Sequence, residues 1–122
     1  MTPITPDPRR HANLSDTFTA FVYPDGVALG DAILQPNTDR PLGTGFHLYR
    51  MPPGMTTRSH RHNGEEHFYV LDGEIVDNDG TVFRACDIVS YRDGTEHHSY
   101  TPNGCTLVVY ITEEETVLAS QV

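Results

Sequence analysis

Residues 54–73 read Gly-Met-Thr-Thr-Arg-Ser-His-Arg-His-Asn-Gly-Glu-Glu-His-Phe-Tyr-Val-Leu-Asp-Gly. In an extended strand, residues two apart project to the same face. His60 and His62 can therefore aim both imidazoles at one point. Asn63-Gly64 supplies turn chemistry, and a reversal there returns the carboxylate of Glu66 to the two imidazoles. Imidazole and carboxylate together suit a divalent transition metal. A fourth ligand has to come from elsewhere in the chain, and His97 is the candidate.

Working outward, the sequence is a succession of short strands and turns. Residues 17–23 and 27–34 are β-branched and aromatic on either side of Pro24-Asp25-Gly26, a turn in which Pro presets φ and Gly permits reversal. Residues 44–51 alternate, with Phe46, Leu48 and Arg50 on one face and His47, Tyr49 and Met51 on the other. Both faces carry bulky groups, so both are expected to be covered; His47 reads as a packed or surface histidine, not a ligand. A strand near 57–62 and another over 65–71 carry the opening motif. If Glu66 faces a metal, Phe68 and Val70 line the interior, and Tyr69 and Leu71 need cover from outside. A second subunit is the simplest cover, so a homodimer is expected.

Asp72-Gly73 reads as a turn, and Asp77-Asn78-Asp79-Gly80 as a hairpin turn; the latter lacks the spacing and terminal Glu of a calcium loop. Short strands follow at 81–84 and 87–91. Arg92-Asp93-Gly94 then turns the chain into His97, which shares a face with Ser99, whereas His98 and Tyr100 share the other. Residues 105–112 form a long apolar strand. Glu113, Glu114 and Glu115 read as a solvated acidic face, and Thr116-Val117-Leu118-Ala119 as either a helical turn or a last edge strand. About ten strands at this spacing predict an all-β sandwich or barrel.

The 122 residues suit one domain with its own core, here residues 17–122, preceded by an extended arm over 1–16. His11 in that arm reads as solvated. A net charge of −9 opposes binding to nucleic acid or an anionic membrane, both of which demand a basic face. Cys86 and Cys105 are too few for a disulfide framework. The N-terminal residues have no apolar run, so neither a signal peptide nor a membrane span is expected, and a cytoplasmic location follows.

The opening stretch resembles the first signature motif of the cupin superfamily: Gly, five residues, His-x-His, three or four residues, Glu, six residues, Gly. Gly54, His60, His62, Glu66 and Gly73 occupy every fixed position. The second cupin motif is matched at Gly94 and His97, with Cys86, Arg92 and Thr101 standing where it has Gly, Pro and Asn. The resemblance spans roughly residues 44–112 and selects His97 over His98. It implies a single-domain double-stranded β-helix, or jelly-roll barrel. It also implies one divalent metal ion (Fe, Zn, Mn or Ni) held by His60, His62, Glu66 and His97. Within the superfamily, the segment 64–73 with Asp77, Gly80 and Gly104-Cys105 is similar to a subgroup that holds diketone- and acetophenone-cleaving dioxygenases. The zinc-binding domain of certain anti-sigma factors belongs to it too. The expected function is an Fe(II)-type dioxygenase acting on a small oxygenated substrate. The alternatives are a non-oxidative lyase, isomerase, decarboxylase or cyclase, and a zinc-binding ligand-sensing module. The anti-sigma factors also grip their sigma factor with a helical domain that these residues are not expected to supply. Tyr110 and Ser99 are candidate proton donors, and Arg50, Arg58 and Arg61 candidate anion contacts.

Overall fold

Strand β10 (Cys105–Ile111) lies between β3 (Gly45–Met51) and β5 (Glu66–Asp77), antiparallel to both, and this trio forms the inner wall of the protein. In the computed structural model, which describes residues 1–118, β1 (Thr19–Val22) and β2 (Ala28–Leu34) extend the wall beyond β3. Strands β6 (Val82–Arg84), β7 (Ile88–Tyr91) and β9 (Ser99–Tyr100) all pair with β5. A small second sheet contains β4 (His60–Arg61), β8 (Glu96–His97) and β11 (Thr116–Val117), in the order β11-β4-β8. Among the described residues there is no helix, and the architecture is an all-β jelly roll.

Period-two patterning builds this wall. On β10, Cys105, Leu107, Val109 and Ile111 are buried while the residues between them are not. They pack against Met51, Phe68, Val70 and Ile75 to form the core. On β3, His47 and Met51 are buried, and Phe46 on the other face is 62% exposed. The expectation that both faces of this strand are covered therefore fails at Phe46 within one chain.

The Asp72-Gly73 pair is not a turn. β5 runs through it as one twelve-residue strand, and the pairing with β10 slips there: Thr106 opposes Asp72, but Leu107 opposes Val70. The extra residue makes a β-bulge. Its consequence is a change of parity. Before the bulge the even positions Phe68 and Val70 face inward; after it the odd positions Ile75 and Asp77 do. Gly73 has φ +80, and a Cβ there would stand 2.1 Å from the Gly104 carbonyl oxygen. No side chain fits.

Other boundaries also differ from expectation. The strand near 57–62 is only His60–Arg61, preceded by an isolated bridge from Thr56 to Tyr100. The tail forms an edge strand, β11, paired with β4; Ala119, the last residue of that expected element, lies outside the described residues, as do the other residues after 118. Residues 1–16 hold no strand and are almost wholly exposed, with Arg10 ion-paired to Asp39. Phe18 then enters the interior, with the Arg50 guanidinium 3.8 Å above its ring. No helix of the described chain is long and apolar enough to cross a membrane.

Candidate metal centre

The small sheet brings the two histidine-bearing segments together. β4 pairs with β8 so that His60 opposes His97. The ladder continues beyond β4: the His62 amide donates to the Thr95 carbonyl (2.9 Å), and the Gly94 amide donates to the His62 carbonyl (3.0 Å). The Gly64 amide donates to Asp93 Oδ1 (2.8 Å), so the Asn63-Gly64 reversal is tied to the turn before His97. The three imidazoles converge, with His60 and His62 ring centres 4.9 Å apart and those of His60 and His97 4.7 Å apart. His62 Nε2 and His97 Nε2 approach to 2.8 Å. Two neighbouring nitrogen ligands of one ion stand about 3 Å apart, given metal–nitrogen bonds of about 2.1 Å.

The outward nitrogens are already engaged. His60 Nδ1 contacts the Arg58 carbonyl oxygen (2.7 Å), and His97 Nδ1 contacts Asp77 Oδ1 (3.0 Å). Both partners only accept, so Nδ1 carries the proton and Nε2 turns its lone pair inward. Asp77 also accepts from the Ser99 hydroxyl (2.7 Å) and the Tyr91 hydroxyl (2.7 Å). Burial opposes ionisation of Asp77, yet the hydrogen bonds from His97, Ser99 and Tyr91 hold its pKa below the ordinary value. Burial, and then the same carboxylate, raise the pKa of the Tyr91 phenol and keep it protonated. Burial, with the neighbouring His60 and His97, pushes His62 down to about 4, so its ring is neutral near pH 7 and free to ligate.

Glu66 lies 3.8 Å from His62 Nε2. Its burial, reinforced by the negative charges of Glu115 and Asp77, raises its pKa well above the ordinary carboxylate range. A divalent cation beside it would supply the missing counter-charge. Converging imidazole nitrogens and a buried carboxyl lacking a cation fit a metal ion. The ligand atoms of His60, His62 and His97 lie within 4.8 Å of one another, as do those of His62, Glu66 and Glu115.

The acidic run Glu113–Glu115 is exposed, as a solvated face is, but Glu115 also reaches the cluster. Its carboxylate stands 3.6 Å from His60 Nε2 and 3.8 Å from His62 Nδ1. Asn63 holds the backbone on either side of it, donating to the Glu114 carbonyl (2.9 Å) and Thr116 Oγ1 (2.8 Å). Nothing in its spacing marks Glu115, because the pairing of β11 with β4 brings it here. Asp77 was equally hidden, in a hairpin-turn motif.

His60, His97, Glu66 and Glu115 of the cluster line a cavity of about 620 Å³ between the inner wall and the β1–β2 hairpin. Phe21, Tyr23, Ile33, Leu42, Phe68 and Leu107 supply its apolar lining. Arg58 borders this cavity, ion-pairs with Asp25 (2.9 Å) and lies 4.0 Å above the Tyr23 ring, pinning the hairpin tip to the segment before His60. Ser99 reaches the cavity. Tyr110 does not: it is 43% exposed on the outer face, because it alternates with the inward Val109 and Ile111.

A jelly roll with a His/Glu cluster of this kind bordering its cavity defines a cupin. More narrowly, the chain belongs to the ChrR cupin-like domain family, whose model matches residues 37–114. No curated protein sequence is significantly similar to it. Among solved structures, an acetylacetone dioxygenase from Acinetobacter johnsonii is similar in fold, with TM-score 0.68 and 14% identity over 98% of this chain and 84% of that one. The Rhodobacter sphaeroides SigE complex with the anti-sigma ChrR gives TM-score 0.50 and 27% identity, over 70% of this chain and 42% of that one. A Ralstonia eutropha protein of unknown function with a cupin-like fold gives TM-score 0.55 and 20% identity over 63% of this chain. The match spans about half, 52%, of that protein's length.

Proposed function

We propose that the protein is a metal-dependent cupin enzyme of the Fe(II) dioxygenase type, acting on a small oxygenated organic substrate, with His60, His62, His97 and Glu66 as ligands. The observation that carries this reading is the convergence of three imidazoles and a buried carboxyl beside a mainly apolar cavity. A divalent ion held there would supply a Lewis-acidic centre with one or two positions left for a chelating substrate and, with iron, for O2. The residues do the rest. Asp77, locked by Ser99 and Tyr91, fixes the His97 ring and its tautomer. Tyr91 stacks on the His62 ring at 5.5 Å and 8° and limits its rotation. Phe68, Leu107 and the hairpin residues exclude water, which strengthens every charge interaction in the site. Glu115, beside His60, about one-third exposed and lining the cavity, is placed to hold or pass a proton there.

Elemental analysis of natively expressed protein, with oxygen-electrode assays on diketones and phenolic ketones, tests the proposal. Iron with substrate-dependent oxygen uptake is expected. Stoichiometric zinc, with no uptake after iron is restored, would sink the dioxygenase reading. It would favour a non-oxidative lyase, isomerase, decarboxylase or cyclase, or the zinc-binding ligand-sensing module to which the family match to ChrR lends weight.

We also propose that the working form is a homodimer. Phe46 opposes Tyr110, and Tyr69 opposes Ile88, on the outer face of the wall. These four and Leu71 are at least 36% exposed, and Ile88 reaches 82%. A contiguous apolar surface of this kind marks an interface. Sedimentation at micromolar concentration should give twice the chain mass, and a strictly monomeric boundary would remove the dimer.

A further inference from the structure

The polar side chain His47 lines the cavity without belonging to the metal cluster. It is 4% exposed and borders the cavity. Its Nδ1 lies 3.0 Å from the Gly45 carbonyl oxygen, which only accepts, so the proton sits on Nδ1 and Nε2 presents a lone pair. No protein group among the described residues bonds Nε2, and no side-chain nitrogen or oxygen of the described residues is sealed off without a partner; the remaining nitrogen therefore opens on the cavity that His47 lines. Burial also lowers the pKa of this imidazole, consistent with a neutral ring.

The surroundings make that lone pair conspicuous. His47 opposes Val109 in the wall, and Ile33, Leu107 and Val109, all at most 4% exposed, line the same cavity. A buried acceptor without a donor costs about 1–3 kcal/mol, so a ligand filling this end of the cavity has to bring a donor or forfeit affinity. A packed core histidine would bond through both nitrogens or be closed off; this one does neither. Its position is also defined. His47 is on β3 and Glu66 on β5, with β10 alone between them and a two-residue offset in register, which sets their backbones about 12 Å apart.

We infer that His47 is a substrate-specificity residue, accepting a hydrogen bond from a hydroxyl at the far end of an uncharged, largely apolar substrate whose other end meets the metal cluster. This rests on the reading of the cluster as the site that holds the substrate. It narrows the substrate class to molecules with a chelating oxygenated head, a hydrocarbon or aromatic body, and a distal alcohol or phenol.

The test uses zinc-loaded protein, so that binding is measured without turnover. The probes are 1-phenylbutane-1,3-dione and its 4-hydroxyphenyl analogue, titrated by calorimetry into wild type, His47→Phe and His47→Gln. Wild type should prefer the hydroxylated probe by roughly five- to tenfold, the worth of one neutral hydrogen bond. His47→Phe, similar in bulk but with no acceptor, should bind the unhydroxylated probe as wild type does and lose the preference. His47→Gln, which regains an acceptor oxygen, should restore part of it. A ratio near one in wild type, or an unchanged ratio in His47→Phe, overturns this inference while leaving the metal-site reading intact. Failure of wild type to bind either probe, with zinc in place, overturns both.

Discussion

His62→Ala is expected to give a folded protein that no longer retains metal. His62 is the one residue common to both sets of converging ligand atoms. It lies 2.8 Å from His97 Nε2 and 3.8 Å from both Glu66 and Glu115. Loss of a supporting partner of a metal ligand weakens affinity by about 10–100-fold, so loss of this central ligand should weaken it by more than about 100-fold. The fold should survive, because the core of Met51, Phe68, Val70, Ile75, Cys105, Leu107, Val109 and Ile111 does not include it. The ring is nevertheless buried, at 2% exposure, so a loss of about 1–3 kcal/mol is expected. Metal content after gel filtration, with thermal melts of both proteins in chelator, separates the two effects. Chelated wild type should melt below metal-loaded wild type, because an ion that binds only the native state stabilises it, and the variant should show no such gap. Full metal occupancy in His62→Ala would show that the ligands are misassigned.

Gly73→Ala should be the most damaging change of a single methyl group in this chain. Two costs act together. An L-residue at φ +80 loses about 1–2 kcal/mol in the left-handed region. The new Cβ would also meet the Gly104 carbonyl oxygen at 2.1 Å and Cys105 Cα at 2.9 Å. Those are backbone atoms of the neighbouring β10 end, so relief requires β5 and β10 to part where the wall is built. A total loss of about 4 kcal/mol or more is expected, a large fraction of the roughly 5–15 kcal/mol that holds a domain together. Gly54→Ala is the control. Gly54 has a similar φ of +78 and nothing within 4 Å of the added carbon, so it carries the conformational cost alone. Denaturant midpoints should therefore rank wild type above Gly54→Ala, with Gly73→Ala far below or insoluble. If the two variants unfold together, steric exclusion at the bulge is not what requires glycine there.

The sequence by itself determined the class of fold and the histidines that meet. Alternation on strands such as 105–111 is local, and so is the two-residue spacing of His60 and His62, because side-chain direction in a strand depends only on parity. The cupin-like spacing added His97. What local reasoning could not provide was anything that depends on how strands pair. The Asp72-Gly73 pair has turn chemistry, but its partner β10 keeps it extended and turns it into a bulge. That one extra residue reverses the parity of β5 and carries Asp77 from the outer face to the inside, where it holds His97. Glu115 reaches the cluster because β11 lies beside β4, a contact between residues more than fifty positions apart. His47 reads from its spacing as a packed or surface side chain, and becomes a lone acceptor only where the β1–β2 hairpin and the inner wall enclose a cavity. Parity within a strand is written in neighbouring residues; register, closure and the space enclosed are properties of the whole assembled sheet.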